Sequence, residues 1–170
     1  MKMRQRNFQK GKNLKYKLAK PYFGLWIRDA FHNKVDQNFA VLLEKLSECL
    51  ELSSYDIHVL LFDAEDPVLI GVTAEEQNSL IQAVPRGIVF TYSQVLNAVC
   101  NTIVGECVMV FLSKGCDIFD RSSFVLRCAD SCIWSIQSSD RELLQNFADR
   151  FEDTEMSEIE MERFYREHFS

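Results

Sequence analysis

Residues 122–137 read SSFVLRCADSCIWSIQ, and Phe124, Leu126, Cys128, Cys132, Trp134 and Ile136 all fall on one parity. A period of two marks strands with one face in a core, because successive side chains of an extended chain point to opposite sides of a sheet. Asp130 falls on the same parity. A carboxylate is costly to bury without a partner, so the run is expected to bend or break there into two adjacent strands.

Upstream, Glu106–Ser113 contains Cys107, Val108, Met109, Val110, Phe111 and Leu112, a buried strand by length and composition. Tyr55–Phe62 is a second near-continuous apolar run of strand length. It is followed by Asp63, Glu65, Asp66 and Pro67, a turn composition, with Val68–Val72 as the expected second arm of a hairpin. Tyr22–Ile27, rich in aromatic and branched residues, adds a short strand.

Helices are expected around these strands. Asp36 offers an N-cap to a first helix, on which Phe39, Leu42, Leu43, Leu46, Cys49 and Leu50 share one face at three and four spacing. Thr73 and Glu76 form a T-x-x-E capping box for residues 74–83, ahead of Pro85. Tyr92–Val99 reads as a further short helix. Ser139 and Glu142 form a capping box for a helix through Phe151, and Ser157 and Glu160 another for a C-terminal helix. The expected fold is one α+β domain over residues 21–170, a central and mostly antiparallel sheet flanked by helices.

The chain has 170 residues with 47% hydrophobic content, enough for a core without disulfide or metal staples. Of its 19 basic residues eight lie in residues 1–20, as Lys2, Arg4, Arg6, Lys10, Lys12, Lys15, Lys17 and Lys20, and no acid accompanies them. That leaves 11 basic against 25 acidic residues in positions 21–170, a formal charge of −14 on the body. Pro21 separates the two parts, so residues 1–20 are expected to form a flexible basic arm.

No apolar run is long enough to span a bilayer, and the charged start is unlike a signal peptide. A cytoplasmic protein is therefore expected. Cys49, Cys100, Cys107, Cys116, Cys128 and Cys132 contain no C-x-x-C pair, so the expectation is reduced thiols that pack as small apolar groups and bind no metal.

The glycine-rich nucleotide motifs, the H-E-x-x-H zinc motif and the G-x-S-x-G hydrolase motif are all missing, and no cofactor is expected. Of the three histidines, His32, His58 and His168, only His58 has a carboxylate at strand spacing, Asp56. An enzyme with a site near Asp56 and His58, using a cysteine nucleophile, is one reading; a hydrogen-bonded pair at the core edge is the simpler one. Asp63, Glu65 and Asp66, like Asp117 and Asp120, suit exposed turns better than a calcium loop, whose ligand spacing is missing.

Glu152, Asp153, Glu155, Glu158, Glu160 and Glu162 concentrate six carboxylates within eleven residues. They form either a solvated face or an anionic surface that attracts a basic protein partner. The arm, with Phe8 and Tyr16 among its cations, is the only part suited to nucleic acid or another anionic surface.

Phe124 to Phe151, FVLRCADSCIWSIQSSDRELLQNFADRF, resembles the strand, D-S-x-aromatic, strand, helix pattern of some immunity proteins that bacteria use against polymorphic or contact-dependent toxins. The resemblance covers about a sixth of the chain and carries over no catalytic residues; the basic arm lies outside its pattern. It implies a non-enzymatic inhibitor whose acidic surface, Glu152 to Glu162, occludes the active site of a cognate basic toxin such as a nuclease.

Overall fold

The computed structural model describes residues 21–28, 39–64, 73–100, 102–129 and 133–169. Its strands are β1 (Tyr22–Ile27), β2 (Tyr55–Ala64), β3 (Ile88–Phe90), β4 (Val104–Ser113), β5 (Phe124–Ala129), β6 (Ile133–Ser138) and β7 (Thr154–Ile159). Its helices are α1 (Phe39–Ser47), α2 (Ala74–Gln82), α3 (Tyr92–Val99), α4 (Arg141–Ala148) and α5 (Arg163–His168). The strands form one sheet in the order β3-β2-β4-β5-β6-β1-β7, every neighbouring pair antiparallel. The described residues thus form a single α+β domain with a central antiparallel sheet flanked by helices, as expected. Residues 1–20, Asp36, His32, Cys132, the Glu65–Asp66–Pro67 turn and the Val68–Val72 arm lie outside the described residues.

Parity sets the two faces of the sheet. Leu25, Ile27, Ile57, Val59, Met109, Phe111, Phe124, Leu126, Trp134 and Ile136 point into the larger core, where they meet Leu43 and Leu46 of α1, Val95 of α3 and Leu144 and Phe147 of α4. The run at 122–137 forms two adjacent strands as expected, β5 ending at Ala129 and β6 beginning at Ile133, and Cys128 faces Trp134 across the pair, while Asp130 lies outside the described residues. On the opposite face Val110, Leu112 and Val125 are closed over by Tyr165 of α5 and Phe169 behind it. Leu60 faces this second cluster by ordinary alternation, and a bulge between Val59 and Leu61 returns Phe62 to the first, which explains how β2 can be apolar almost throughout.

The capping box at Thr73 and Glu76 is present, with Glu76 N–H donating to the threonine hydroxyl at 3.3 Å and Glu76 Oε2 accepting from Thr73 N–H at 3.1 Å. Thr91 and Gln94 cap α3 in the same way, a T-x-x-Q box unread in the sequence.

Two capping expectations are corrected. Asp140, not Ser139, caps α4: its carboxylate accepts from Glu142 N–H at 3.0 Å and Leu143 N–H at 3.2 Å, and Arg121 holds it at 2.9 Å. The helix ends at Ala148 and does not run through Phe151. Ser157 and Glu160 do not open a helix, because Ser157 lies inside β7, paired with Gly24, and α5 begins only at Arg163. Pairing with β1, more than a hundred residues away in sequence, overrides the local S-x-x-E pattern. The three-residue β3 is an element the sequence reading missed.

Candidate functional site

The carboxylates of residues 152–162 sit on and beside an edge strand. Among the described residues β7 pairs with β1 on one side only, with Tyr22 opposite Ile159, Phe23 opposite Glu158 and Trp26 opposite Glu155. Antiparallel alternation turns Glu158 to the larger-core face, beyond Met156, and Glu155 to the other. Glu152 and Asp153 lead into the strand and Glu160 and Glu162 lead out of it. All six carboxylate residues are exposed.

Two ion pairs reach this segment from elsewhere in the described fold. Arg28 pairs with Glu155 and Arg127 with Glu162, all four side chains more than a third exposed. Exposed pairs of this kind contribute little to stability, but they offset local charge. Glu158 and Glu160 make no ion pair among the described residues, which leaves them with the patch's uncompensated charge.

Trp26, which the sequence reading passed over, borders this edge. A Cβ placed on Gly24 would come within 2.8 Å of the Trp26 ring and 3.2 Å of Ile159, so the indole lies across Gly24. It is half-buried, next to Glu155 in register. The signal was present: Trp26 is out of phase with Leu25 and Ile27, an aromatic residue on the parity facing away from the main core. Phe164, 37% exposed on α5, is a second aromatic close in sequence to the carboxylates.

Asp56 and His58 do share a face, as the D-x-H spacing requires, but each is engaged separately. Asp56 Oδ2 accepts from Gly115 N–H at 3.0 Å, and His58 Nδ1 lies 3.2 Å from the Arg86 carbonyl. The ring of Phe169 stands edge-on to His58, with centroids 5.4 Å apart, and the Arg86 guanidinium lies 4.8 Å from the same phenylalanine ring. Among the described residues no hydrogen bond joins His58 to a thiol.

Burial lowers the pKa of His58 below its ordinary 6.5, and the neighbouring Arg86 charge adds to this, against the Arg86 carbonyl, Asp56 and Asp117. Above pH 6.5 the imidazole is neutral in folded and unfolded chains alike. Below it the unfolded chain takes up a proton that the folded chain resists, so stability falls as pH drops from 6.5 toward the folded pKa. Urea unfolding of His58→Gln at pH 7 and pH 5.5 is therefore expected to show a smaller loss between the two than the parent. Equal losses would show that His58 ionises freely in the fold.

Asp63 is exposed within β2. Asp120 accepts from the N–H and hydroxyl groups of Ser122 and Ser123 at 2.7–3.0 Å. Burial alone would raise its pKa, but these four donors outweigh it and hold the carboxyl low. Among the described residues no group of three or more His, Cys, Asp or Glu is placed to hold a metal ion. No described helix is long and apolar enough to cross a membrane.

Cys49, Cys100, Cys107 and Cys116 are free thiols. Cys107 and Cys128 face each other across β4 and β5, both buried in the larger core, and burial raises the Cys107 pKa well above its ordinary value. Rapid alkylation of denatured protein prepared without reductant is expected to find all six thiols of the chain. In the native protein exposed Cys100 should react first and Cys107 and Cys128 last. Three stable disulfides would overturn this assignment.

Comparison of the chain with protein-family models, with curated proteins and with solved structures finds no match in any of the three.

Proposed function

We propose that the chain is a non-catalytic protein-binding protein, an immunity-type inhibitor that covers the active site of a basic toxin, such as a nuclease, with its acidic edge. The observation that carries this reading is the placement of six exposed carboxylates along one sheet edge, with half-buried Trp26 beside them. Charge of one sign on an open surface steers an oppositely charged partner and speeds encounter, while an aromatic side chain at the rim supplies buried area once contact is made. The segment Phe124–Phe151, on which the immunity-protein resemblance rests, folds as strand, strand and helix in β5, β6 and α4.

The test begins with partners recovered by pull-down from the native source and continues by surface plasmon resonance with each purified partner. Glu158→Lys combined with Glu160→Lys is expected to slow association by about tenfold or more, while dissociation changes less. Raised salt should slow the parent chain in the same way. Trp26→Ala should act chiefly on dissociation. An association rate indifferent both to salt and to the two reversals would sink the acidic-edge reading. Cleavage or transfer activity lost on His58→Gln, but kept in the double lysine variant, would instead favour an enzyme with its site at Asp56 and His58.

A further inference from the structure

The outer side of β7 is an open strand edge whose polar groups can be assigned. Arg28 N–H donates to the Asp153 carbonyl at 2.8 Å, which makes these two residues a hydrogen-bonded pair of the ladder. The alternation of an antiparallel ladder then assigns Trp26 with Glu155 and Gly24 with Ser157 to the same class. Thr154, Met156 and Glu158 therefore turn their N–H and C=O groups away from β1. Among the described residues no strand lies on that side and no backbone group pairs with theirs there.

A row of unpaired N–H and C=O groups is a template for an added strand, and the side chains on its two faces select which strand can join. Thr154, Met156 and Glu158 lie on the larger-core face of β7, and Glu155, Ser157 and Ile159 on the other. Side chains directly opposite each other across a strand pair stand about 5 Å apart. A matching strand therefore carries cations opposite Glu155 and Glu158 and apolar side chains opposite Met156 and Ile159. Both apolar residues are half-buried, so such neighbours would cover the side that β1 leaves open. Trp26, opposite Glu155 on β1, adds aromatic surface one strand further in. A second copy of the chain does not match, because β7 against β7 sets one acidic edge beside another.

We propose that the outer edge of β7 takes up an extended basic segment of a partner protein as an added strand, with cations against Glu155 and Glu158 and an apolar side chain against Met156. The basic character of the partner rests on the function proposed above; the pairing through backbone groups does not.

The test uses the full chain and a synthetic six-residue peptide, the length of β7, reading valine, lysine, threonine, valine, lysine, threonine, with both ends blocked. Antiparallel to β7, it sets its valines opposite Ile159 and Met156 and its lysines opposite Glu158 and Glu155. With the peptide at millimolar concentration, amide exchange at Thr154, Met156 and Glu158 is expected to slow several-fold, while Glu155 and Ser157, already bonded to β1, change little. Attraction by charge alone gives no such alternation. N-methylation of every peptide amide keeps the cations but removes the donors, and should weaken binding by about tenfold or more. Glu158→Lys combined with Glu160→Lys should weaken it by a similar factor. Met156→Pro removes one outward N–H at a position where an edge strand tolerates proline, so it should bind the peptide several-fold more weakly than Met156→Ala.

No binding at millimolar peptide, binding without protection of the three amides, or equal binding of the N-methylated peptide would each overturn the added strand. The last two outcomes would leave the acidic-edge reading standing. Protection of the same amides in the chain alone would also overturn it: a second copy covers the edge if protection rises with protein concentration, and the chain covers its own edge if it does not. Alternating protection by the peptide, together with recovered partners whose association ignores salt and charge reversal, would sink the function proposed above and leave the added strand as it stands.

Discussion

Gly87→Ala is expected to destabilise the chain by about 3 kcal/mol or more, and urea unfolding should show this as a lowered midpoint at an unchanged slope. Gly87 has φ +69°, a region where a side chain costs roughly 1–2 kcal/mol by itself. Its new Cβ would also lie 2.2 Å from the Val59 carbonyl oxygen and 2.7 Å from the Val59 carbonyl carbon, both backbone atoms of β2. Neither can swing aside as a side chain would, so β3 would have to part from β2 or β2 from its bulge. Gly115→Ala separates the two contributions: its φ is +77° but nothing lies within 4 Å of a Cβ there. That variant should lose only about 1 kcal/mol. Equal losses at the two glycines would show that the close approach of Gly87 to β2 carries no cost.

Phe124→Ala is expected to cost about 3–5 kcal/mol by the same measurement. Phe124 is fully buried, stacked on Phe111 with centroids 4.3 Å apart and in edge contact with Tyr55 at 5.6 Å and Phe147 at 5.4 Å. It joins β4, β5, the start of β2 and α4, so truncation removes both transfer free energy and aromatic contacts from the larger core. Phe124→Leu should lose less than half as much. A Phe124→Ala loss below about 1 kcal/mol would mean that the aromatic cluster repacks around the cavity.

Local sequence determined a good part of this architecture. The parity of residues 122–137 determined that β5 and β6 bury Phe124, Leu126, Cys128, Trp134 and Ile136 on one side. The three and four spacing from Phe39 determined α1, and the Thr73 and Glu76 pair determined the start of α2. In each case the residues that carry the signal are neighbours along the chain, so the physics of a single turn or pleat suffices. The D-x-H spacing likewise put Asp56 and His58 on one face, but their partners, Gly115, Arg86 and Phe169, arrive from other elements.

What only the tertiary structure decided is the nature of the acidic segment. By composition residues 154–159 are poor strand formers, and Ser157 with Glu160 satisfies a local helix-start rule. β1 presents an edge with Phe23, Leu25 and Ile27 already committed to the larger core, and pairing with it satisfies the segment's backbone while bringing Met156 against that core. A capping box stabilises by about 1 kcal/mol, whereas a strand ladder with one buried side gains along its whole length, and the longer-range arrangement wins. That same choice places the carboxylates on an open edge beside Trp26 rather than on the face of a helix. No local pattern could specify it, because the partner strand lies at the other end of the chain.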